Sequence, residues 1–373
     1  MRTVVIGGGV IGLACAWELT RREHDVVLLE AASLGGGVSR GNAGWICPSL
    51  TSPLAAPGMV REGLRQLLRG GEAFSVRPGL DPMLLRWLIT FARSCRPRMY
   101  AANLAALTEL VRGTPDRYEE YVREGVELEL HRDGLVIAAL TEKTLRSYGH
   151  HVDAVQLDAA AAAELEPALD AAAIAGALHP RGDLHVRPET LVAGLARSLR
   201  ARGVELREST KVESLVRRGT EWIVGDELSA DAVVVAAGLG SAPLLRDLGW
   251  REPLVGARGY SVAVDGIRPS HALYLAEAKL ALSPFDEGTR LAGVLELGAP
   301  RRMTAARLVR GAAPYLAAEP VSRGELWSGL RPATPNGVPR IERLRPGLVV
   351  AAGHAMLGVT LAPATAARVA ALL

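Results

Sequence analysis

The chain opens on a four-residue apolar run, Thr3 to Ile6, that breaks at once into Gly7, Gly8 and Gly9 and then into a stretch with helical character. A short β-branched run without polar alternation predicts a central parallel strand buried on both faces, covered by helices on each side. Val10 to Arg21 reads as the following helix, and Asp25 to Leu29 as a second strand that ends at Glu30. Further on, the chain from Asp81 to Glu124 reads as helices: MLLRWLITFARSC is strongly apolar, NLAALTELVRGTPDRYEEYV more amphipathic. The stretch VELELHRDGLVIAAL has the pattern of two strands joined in a hairpin at Asp133-Gly134.

The α/β alternation then resumes. RPETLVAGLARSLRARGVELREST predicts a helix leading into a strand that reaches Lys211 and Val212, and ADAVVVAAGLGS a buried strand, Ala232 to Ala236, entering a small-residue turn. VGARGYSVAV, HALYLA, AKLALSPF and TRLAGVLELG predict successive antiparallel strands of a mixed sheet. The end of the chain, from RPGLVVAAGHAMLG onward, reads as a strand, a Gly-rich loop and a closing helix. The expected fold is α/β: a Rossmann-like dinucleotide-binding domain assembled from 1–80, 151–250 and 328–373, and an α+β domain with a mixed antiparallel sheet from 81–150 and 251–327.

Composition removes several function classes. With 373 residues, 49% of them apolar and 22% charged, the chain is long enough for a large core and is not disordered. The net charge of +3 is small, and its basic residues are arginines apart from Lys143, Lys211 and Lys279. No basic run interleaved with aromatics occurs, so no nucleic-acid partner is expected. Cys15, Cys47 and Cys95 form no CxxC pair, which suggests neither a zinc site nor a disulfide framework, and no metal is expected. The first strand begins at residue 3 and no apolar run reaches the roughly 18 residues of a membrane span, so a cytoplasmic protein without a leader is expected. One segment, LLRWLITFARSCRPRMY, has the apolar and basic content for peripheral contact with the inner face of a membrane.

The glycines carry the chemistry. Gly7, Gly9 and Gly12 stand in G-x-G-x-x-G spacing: the first allows a tight turn, the second lets backbone approach a pyrophosphate, and the third lets the helix pack close to the strand. The helix starting at Val10 and Ile11 aims its amides and dipole at that phosphate. Glu30 is placed to accept hydrogen bonds from ribose hydroxyls, and its charge disfavours a 2'-phosphate, leaving FAD or NAD. A second small-residue loop follows, in which Ser39, Asn42, Ala43 and Gly44 offer donors and Trp45 follows. A nicotinamide enzyme rarely needs such a loop. Val212 offers backbone to an adenine edge, and Ala237 and Gly238 form a further close turn.

Taken together, GGGVIG with Glu30, SRGNAG, VVVAAG, GLRPATPNGVPRI and GHAMLGVTLAPATA make the chain resemble the D-amino acid oxidase-like family of flavoproteins. That family includes glycine oxidase, sarcosine oxidase and bacterial D-amino acid dehydrogenase. NAGWICPSLTSPLAAPG and KLALSPFDEGTRLAGVLELG are most similar to the dehydrogenase branch. Two departures stand out: Asn336 occupies the usual Asp position of the TPDG motif, and the chain is shorter than typical quinone-linked members.

The resemblance implies non-covalent FAD and oxidative deamination of a small D-amino acid, by hydride transfer from Cα to flavin N5, with O2 or a quinone as acceptor. Glycine, N-methyl and cyclic imino acids of the D-proline type are alternative substrates, and a flavin-binding regulator without turnover is an alternative role. Arg331, in LWSGLRP, matches the family's carboxylate clamp, where a planar guanidinium fork suits two parallel hydrogen bonds. Glu296 interrupts an apolar strand and is expected either beside the substrate ammonium and Arg331 or on a wet edge. Tyr260 is a further catalytic candidate, its hydroxyl over the substrate. Gly353 and His354 open the last loop, His354 reading as structural or flavin-adjacent. The amides of Leu357, Gly358, Val359 and Thr360, at a helix start, are placed to stabilise negative charge on the reduced flavin.

Overall fold

The computed structural model describes residues 1–373 except 62, 64, 66–73, 78–80, 227 and 300–302. Among the described residues, a six-stranded sheet holds the opening strand at its centre, in the order Glu205–Arg207, Asp25–Leu29, Arg2–Ile6, Ala232–Val235, Leu348–Ala352, Arg340–Arg345. The first five strands run parallel and the last is antiparallel. Parallel strands need long crossover connections, which are usually helical. The helices Val10–Arg21, Pro188–Ala201 and Gly358–Leu372 pack on one face, through Val5, Leu28, Val234 and Val349.

The expectation of helices on both faces fails on the other side. There Val4, Ile6, Val27, Val233 and Val350 pack against a three-stranded antiparallel sheet, Leu215–Arg218, Glu221–Val224 and Leu228–Ala230, whose Trp222 is 1% exposed. A sheet can cover a sheet as well as a helix can, because both offer one apolar face. Apolar runs buried on both sides do not tell the two apart.

A nine-stranded mixed sheet takes up most of the remaining strands. Its path runs Val321–Ala333, Val255–Asp265, Gly288–Gly298, Leu280–Phe285, Ala272–Leu275, Leu135–Ala139, Gly176–His179, Val155–Asp158. The strand Gly288–Gly298 changes neighbours along its length. Its first half pairs with Leu280–Phe285, and Leu295 to Gly298 pair in parallel with Phe74–Arg77.

Several expectations need correction. The hairpin at Asp133-Gly134 does not close on itself, although Gly134 has the positive φ of a turn, +81°. Leu130–His131 pairs with Leu184–Val186, while Leu135–Ala139 joins the large sheet. The strand expected to reach Lys211 and Val212 ends at Arg207, where its pairing with Leu29 ends. The buried strand ends at Val235 rather than Ala236. The division of the chain also shifts. Val155–Asp158 and Gly176–His179 are hydrogen-bonded into the nine-stranded sheet, not the dinucleotide-binding part expected for 151–250. Val321–Ala333 runs unbroken across the expected boundary at 328. Finally, Ala355–Leu372 has the length and apolarity of a membrane span, against the expectation that no such run exists. Its apolarity is accounted for by Val359, Ala362, Ala366 and Val369, which pack with Leu13 and Ala16 of the first helix.

Candidate functional site: a dinucleotide groove ending at an arginine

The three motif glycines do different things. Gly7 has φ +111°, and a Cβ there would lie 2.5 Å from the Ala236 carbonyl oxygen, so this turn admits only glycine. A Cβ on Gly12 would lie 1.8 Å from the Gly7 oxygen, which fixes the close approach of helix to strand. Gly9 is different: a Cβ there would meet only Ser39 Oγ, at 3.4 Å, and the residue faces a cavity. That cavity, about 670 Å³, lies at the carboxyl ends of the parallel strands, where open α/β sheets bind their ligands.

Its lining includes Gly7, Gly9, Val10, Ile11, Glu30, Ser39, Asn42, Val212, Ala237, Gly238, Arg331, Gly353, His354, Gly358 and Val359, all expected from the sequence. Two helix N-termini, at Val10 and Gly358, therefore open on one cavity, and both favour an anion. Glu30 is held by backbone amides: Gly8 N–H donates to Oε2 at 2.6 Å and Ala32 N–H to Oε1 at 2.8 Å. The Thr210 amide donates to the Glu30 carbonyl, which brings exposed Lys211 and Glu213 to the same part of the groove.

Other expected residues support the groove without lining it. Gly12 packs helix on strand, as above. Ala43, Gly44, Trp45 and Thr360 belong to a brace behind the second loop. Thr360 Oγ1 donates to the Trp45 carbonyl at 2.8 Å. Trp45 Nε1 donates to Ser283 Oγ at 2.9 Å, and that hydroxyl donates to the Ala43 carbonyl at 2.7 Å. Gly44, at φ +80°, would place a Cβ 1.9 Å from the Val186 oxygen. The Leu357 amide is taken by the His354 carbonyl at 2.8 Å.

Arg331 lies at the junction of groove and large sheet. Its guanidinium rests flat over Gly259, where a Cβ would fall within 2.2 Å of Cζ and both terminal nitrogens. Nη1 donates to the Val294 carbonyl at 3.1 Å. Among the described residues, no carboxylate lies within ion-pair distance of it, and burial pushes its pKa down to about 10. His354, 5% exposed, bonds through Nε2 to Thr365 Oγ1 at 2.9 Å, and burial pushes its pKa down to about 3. The imidazole is neutral at physiological pH.

The structure does not bring Tyr260 and Glu296 to the cavity. Tyr260 is adjacent to Gly259 in a strand, so it points to the opposite face from Arg331. There it packs among Val262, Leu280, Leu291 and Tyr315. Its hydroxyl donates to Glu296 Oε2 at 2.7 Å, and burial with this bond pushes the phenol up to about 12. Glu296, 1% exposed, is neither at a wet edge nor at Arg331. Sequence reasoning missed Val38, Leu239, Pro243, Leu244 and Leu330, which also line the cavity. The apolar residues after the Ala237 turn have no periodicity to betray them. On the surface, Glu129, His131 and Asp286 bring ligand atoms within 4.8 Å of one another, but Arg187 lies beside Glu129 and Glu129 already bonds His131.

The groove fits a flavin dinucleotide: bare backbone at Gly9, two helix N-termini for a pyrophosphate, and an anchored carboxylate for ribose hydroxyls. The family model described as FAD dependent oxidoreductase matches residues 2–372. The chain belongs to the FAD-dependent oxidoreductase family. Its cofactor is FAD. Among similar curated proteins are D-amino acid dehydrogenases of Rhizorhabdus wittichii, 32% identical over 97% of this chain and 93% of the relative, and of Cereibacter sphaeroides, 34% identical over 98% and 90%. Among solved structures, glycine oxidase from Geobacillus kaustophilus superposes with a TM-score of 0.72 at 26% identity, covering 100% of this chain and 94% of that one. Glycine oxidase from Bacillus cereus gives 0.74 at 20% identity, over 99% and 96%. The family member's sheets and groove are those expected of an FAD-dependent oxidoreductase.

Proposed function

We propose that the protein oxidises a small D-amino acid to the corresponding imino acid, with Arg331 anchoring the substrate carboxylate. One observation carries this reading. Arg331 is a half-buried guanidinium at the wall of the FAD groove, with one backbone acceptor and, among the described residues, no acid within ion-pair distance. A partly desolvated cation without a counter-ion is disfavoured, as its lowered pKa shows, and a bound carboxylate would offset that.

Bound in the groove, FAD supplies the acceptor for the hydride and its two electrons. The chain's own part is binding and orientation. With its carboxylate on Arg331, the substrate is fixed at one end, which decides which Cα bond faces the cofactor; a displacement of about 1 Å can cost about 100-fold. As the Cα–H bond breaks, the amine lone pair forms the C=N bond. The ammonium proton leaves beforehand to water, because neutral His354 is engaged by Thr365 and Tyr260 faces the other side of the sheet.

An anaerobic panel tests this on the FAD-loaded protein. D-amino acids, L-amino acids, glycine, sarcosine and D-proline are added in turn, and loss of the visible flavin band is followed. The D-series reduces the flavin fastest, and Arg331→Met raises KM by at least about 100-fold. Reduction by none of them, or an unchanged KM, overturns the reading. Reoxidation by air against a quinone analogue then identifies the acceptor.

The reading extends to peripheral contact with an anionic bilayer. The helix Pro82–Ser94, the turn after it and the start of the helix Pro97–Val111 expose Met83, Leu85, Ile89 and Met99 beside Arg86, Arg93, Arg96 and Arg98. Apolar side chains ringed by arginines suit an interface of acyl chains and anionic headgroups. The wild-type protein floats with anionic vesicles, and a Leu85→Glu/Ile89→Glu variant does not; equal flotation of both removes the proposal.

A further inference from the structure

The strand carrying Val294 contains a backbone conformation that its sequence disfavours. Val294 has φ +64°, in the left-handed region, where a β-branched residue is a genuine outlier. It sits where pairing between Val255–Asp265 and Gly288–Gly298 slips: Tyr260 faces Gly293 and Arg258 faces Glu296, so Val294 and Leu295 oppose Gly259 alone. This is a β-bulge, and such bulges re-aim groups near functional sites. Here it re-aims a carbonyl. The Val294 oxygen accepts the 3.1 Å bond from Arg331 Nη1, the one hydrogen bond of that guanidinium among the described residues.

The opposing residue fits the same purpose. Gly259 is not at positive φ, so its backbone tolerates an alanine. What it lacks is space: the methyl would lie 2.1 Å from Arg331 Cζ. Glycine within a strand forfeits side-chain packing and carries an entropic cost against alanine. A strained valine and a bare glycine facing each other across one strand pair, both in contact with the same guanidinium, define a seat.

We propose that Gly259 and Val294 are positioning residues: the bulge carbonyl holds Nη1 and the bare glycine holds the plane, so that the rest of the fork faces the cavity for a carboxylate. This rests on the reading of Arg331 given above. Neither residue touches substrate; both act through the arginine. Selectivity for a planar carboxylate over a neutral amide then depends on a glycine outside the cavity lining.

The test uses the FAD-loaded enzyme with benzoate as carboxylate probe and benzamide as its neutral counterpart, binding being read from the flavin spectrum. Four proteins are compared: wild type, Gly259→Ala, Arg331→Met and the double variant. Gly259→Ala is expected to weaken benzoate by at least about tenfold with benzamide unchanged, and to raise KM for D-alanine more than it lowers kcat. The double variant is expected to bind benzoate no worse than Arg331→Met alone, because the glycine acts only through the arginine. Gly259→Ala binding benzoate as wild type does, while Arg331→Met loses it, overturns the seat and leaves the anchor standing. Benzoate bound equally by Arg331→Met overturns the anchor, and the seat with it. FAD affinity and melting temperature are recorded for all four, and equal loss of benzoate and benzamide in Gly259→Ala marks general disruption and also overturns the seat.

Discussion

Glycines nine and twelve of one motif should fail in opposite ways when given a methyl group. At Gly12 the Cβ meets the Gly7 oxygen at 1.8 Å, so Gly12→Ala has to push the first helix off the first strand. Overpacking of this kind costs about 1–3 kcal/mol or more, visible as a lower melting temperature without cofactor. At Gly9 the Cβ meets nothing closer than 3.4 Å and projects toward the groove. Gly9→Ala should therefore leave the cofactor-free melting temperature unchanged and weaken FAD binding in titration. A parallel loss in both variants would contradict the division of labour. Tyr260 offers a second test at this scale. Tyr260→Phe removes the donor to buried Glu296 Oε2 and should cost about 1–3 kcal/mol by urea unfolding. Because the ring faces away from Arg331, kcat should stay within about twofold of wild type. A large fall in kcat at unchanged stability would return Tyr260 to the catalytic machinery.

Elements decide how the second loop is held. Its residues 39–45 are braced from behind by the strand Leu280–Phe285 through Ser283 and by the closing helix through Thr360. Arg290, from the neighbouring strand, donates to the Asn42 carbonyl at 2.8 Å and pairs with Glu189. Ser283→Ala strips Trp45 Nε1 of its acceptor and Ala43 of its donor. It should weaken FAD binding several-fold and lower the melting temperature, although Ser283 lines no part of the groove; FAD titration with thermal melts checks both. The brace also shows where sequence stops speaking. The opening strand, the glycine spacing, Glu30 and Arg331 are local: each has its chemistry in a few consecutive residues. Ser283 and Val294 have theirs in a partner more than thirty residues away, and no period or spacing marks them. The hairpin expected at Asp133-Gly134 fails for the same reason, since the turn was legible and the partners, Leu184–Val186 and Ala272–Leu275, were not. Buried runs such as Ala232–Val235 announce burial on both faces but not what lies on each.

For the whole molecule, burial of titratable groups sets a pH dependence whose sign follows from three side chains. His354 and His185 are held neutral by burial, with pKa values pushed down to about 3 and about 4 from 6.5. Below pH 6.5 the unfolded chain takes up these protons and the folded one does not, so each costs about 1.4 kcal/mol of stability per pH unit as pH falls toward its folded value. Asp183 acts the other way. Burial raises it from 3.8 to about 6, so below pH 6 the folded state binds a proton that the unfolded chain still lacks, which offsets one histidine. Together these three groups lower stability by about 2 kcal/mol between pH 7 and pH 5, with the steepest loss between pH 6 and pH 5. His354→Gln, whose amide can still reach toward Thr365, removes one titration and should shrink that loss to about 0.5 kcal/mol. Urea unfolding of the cofactor-free protein at the two pH values measures both. An equal slope in wild type and variant would mean that His354 titrates alike in the folded and unfolded states, and its part as a histidine held neutral by burial would fall with it.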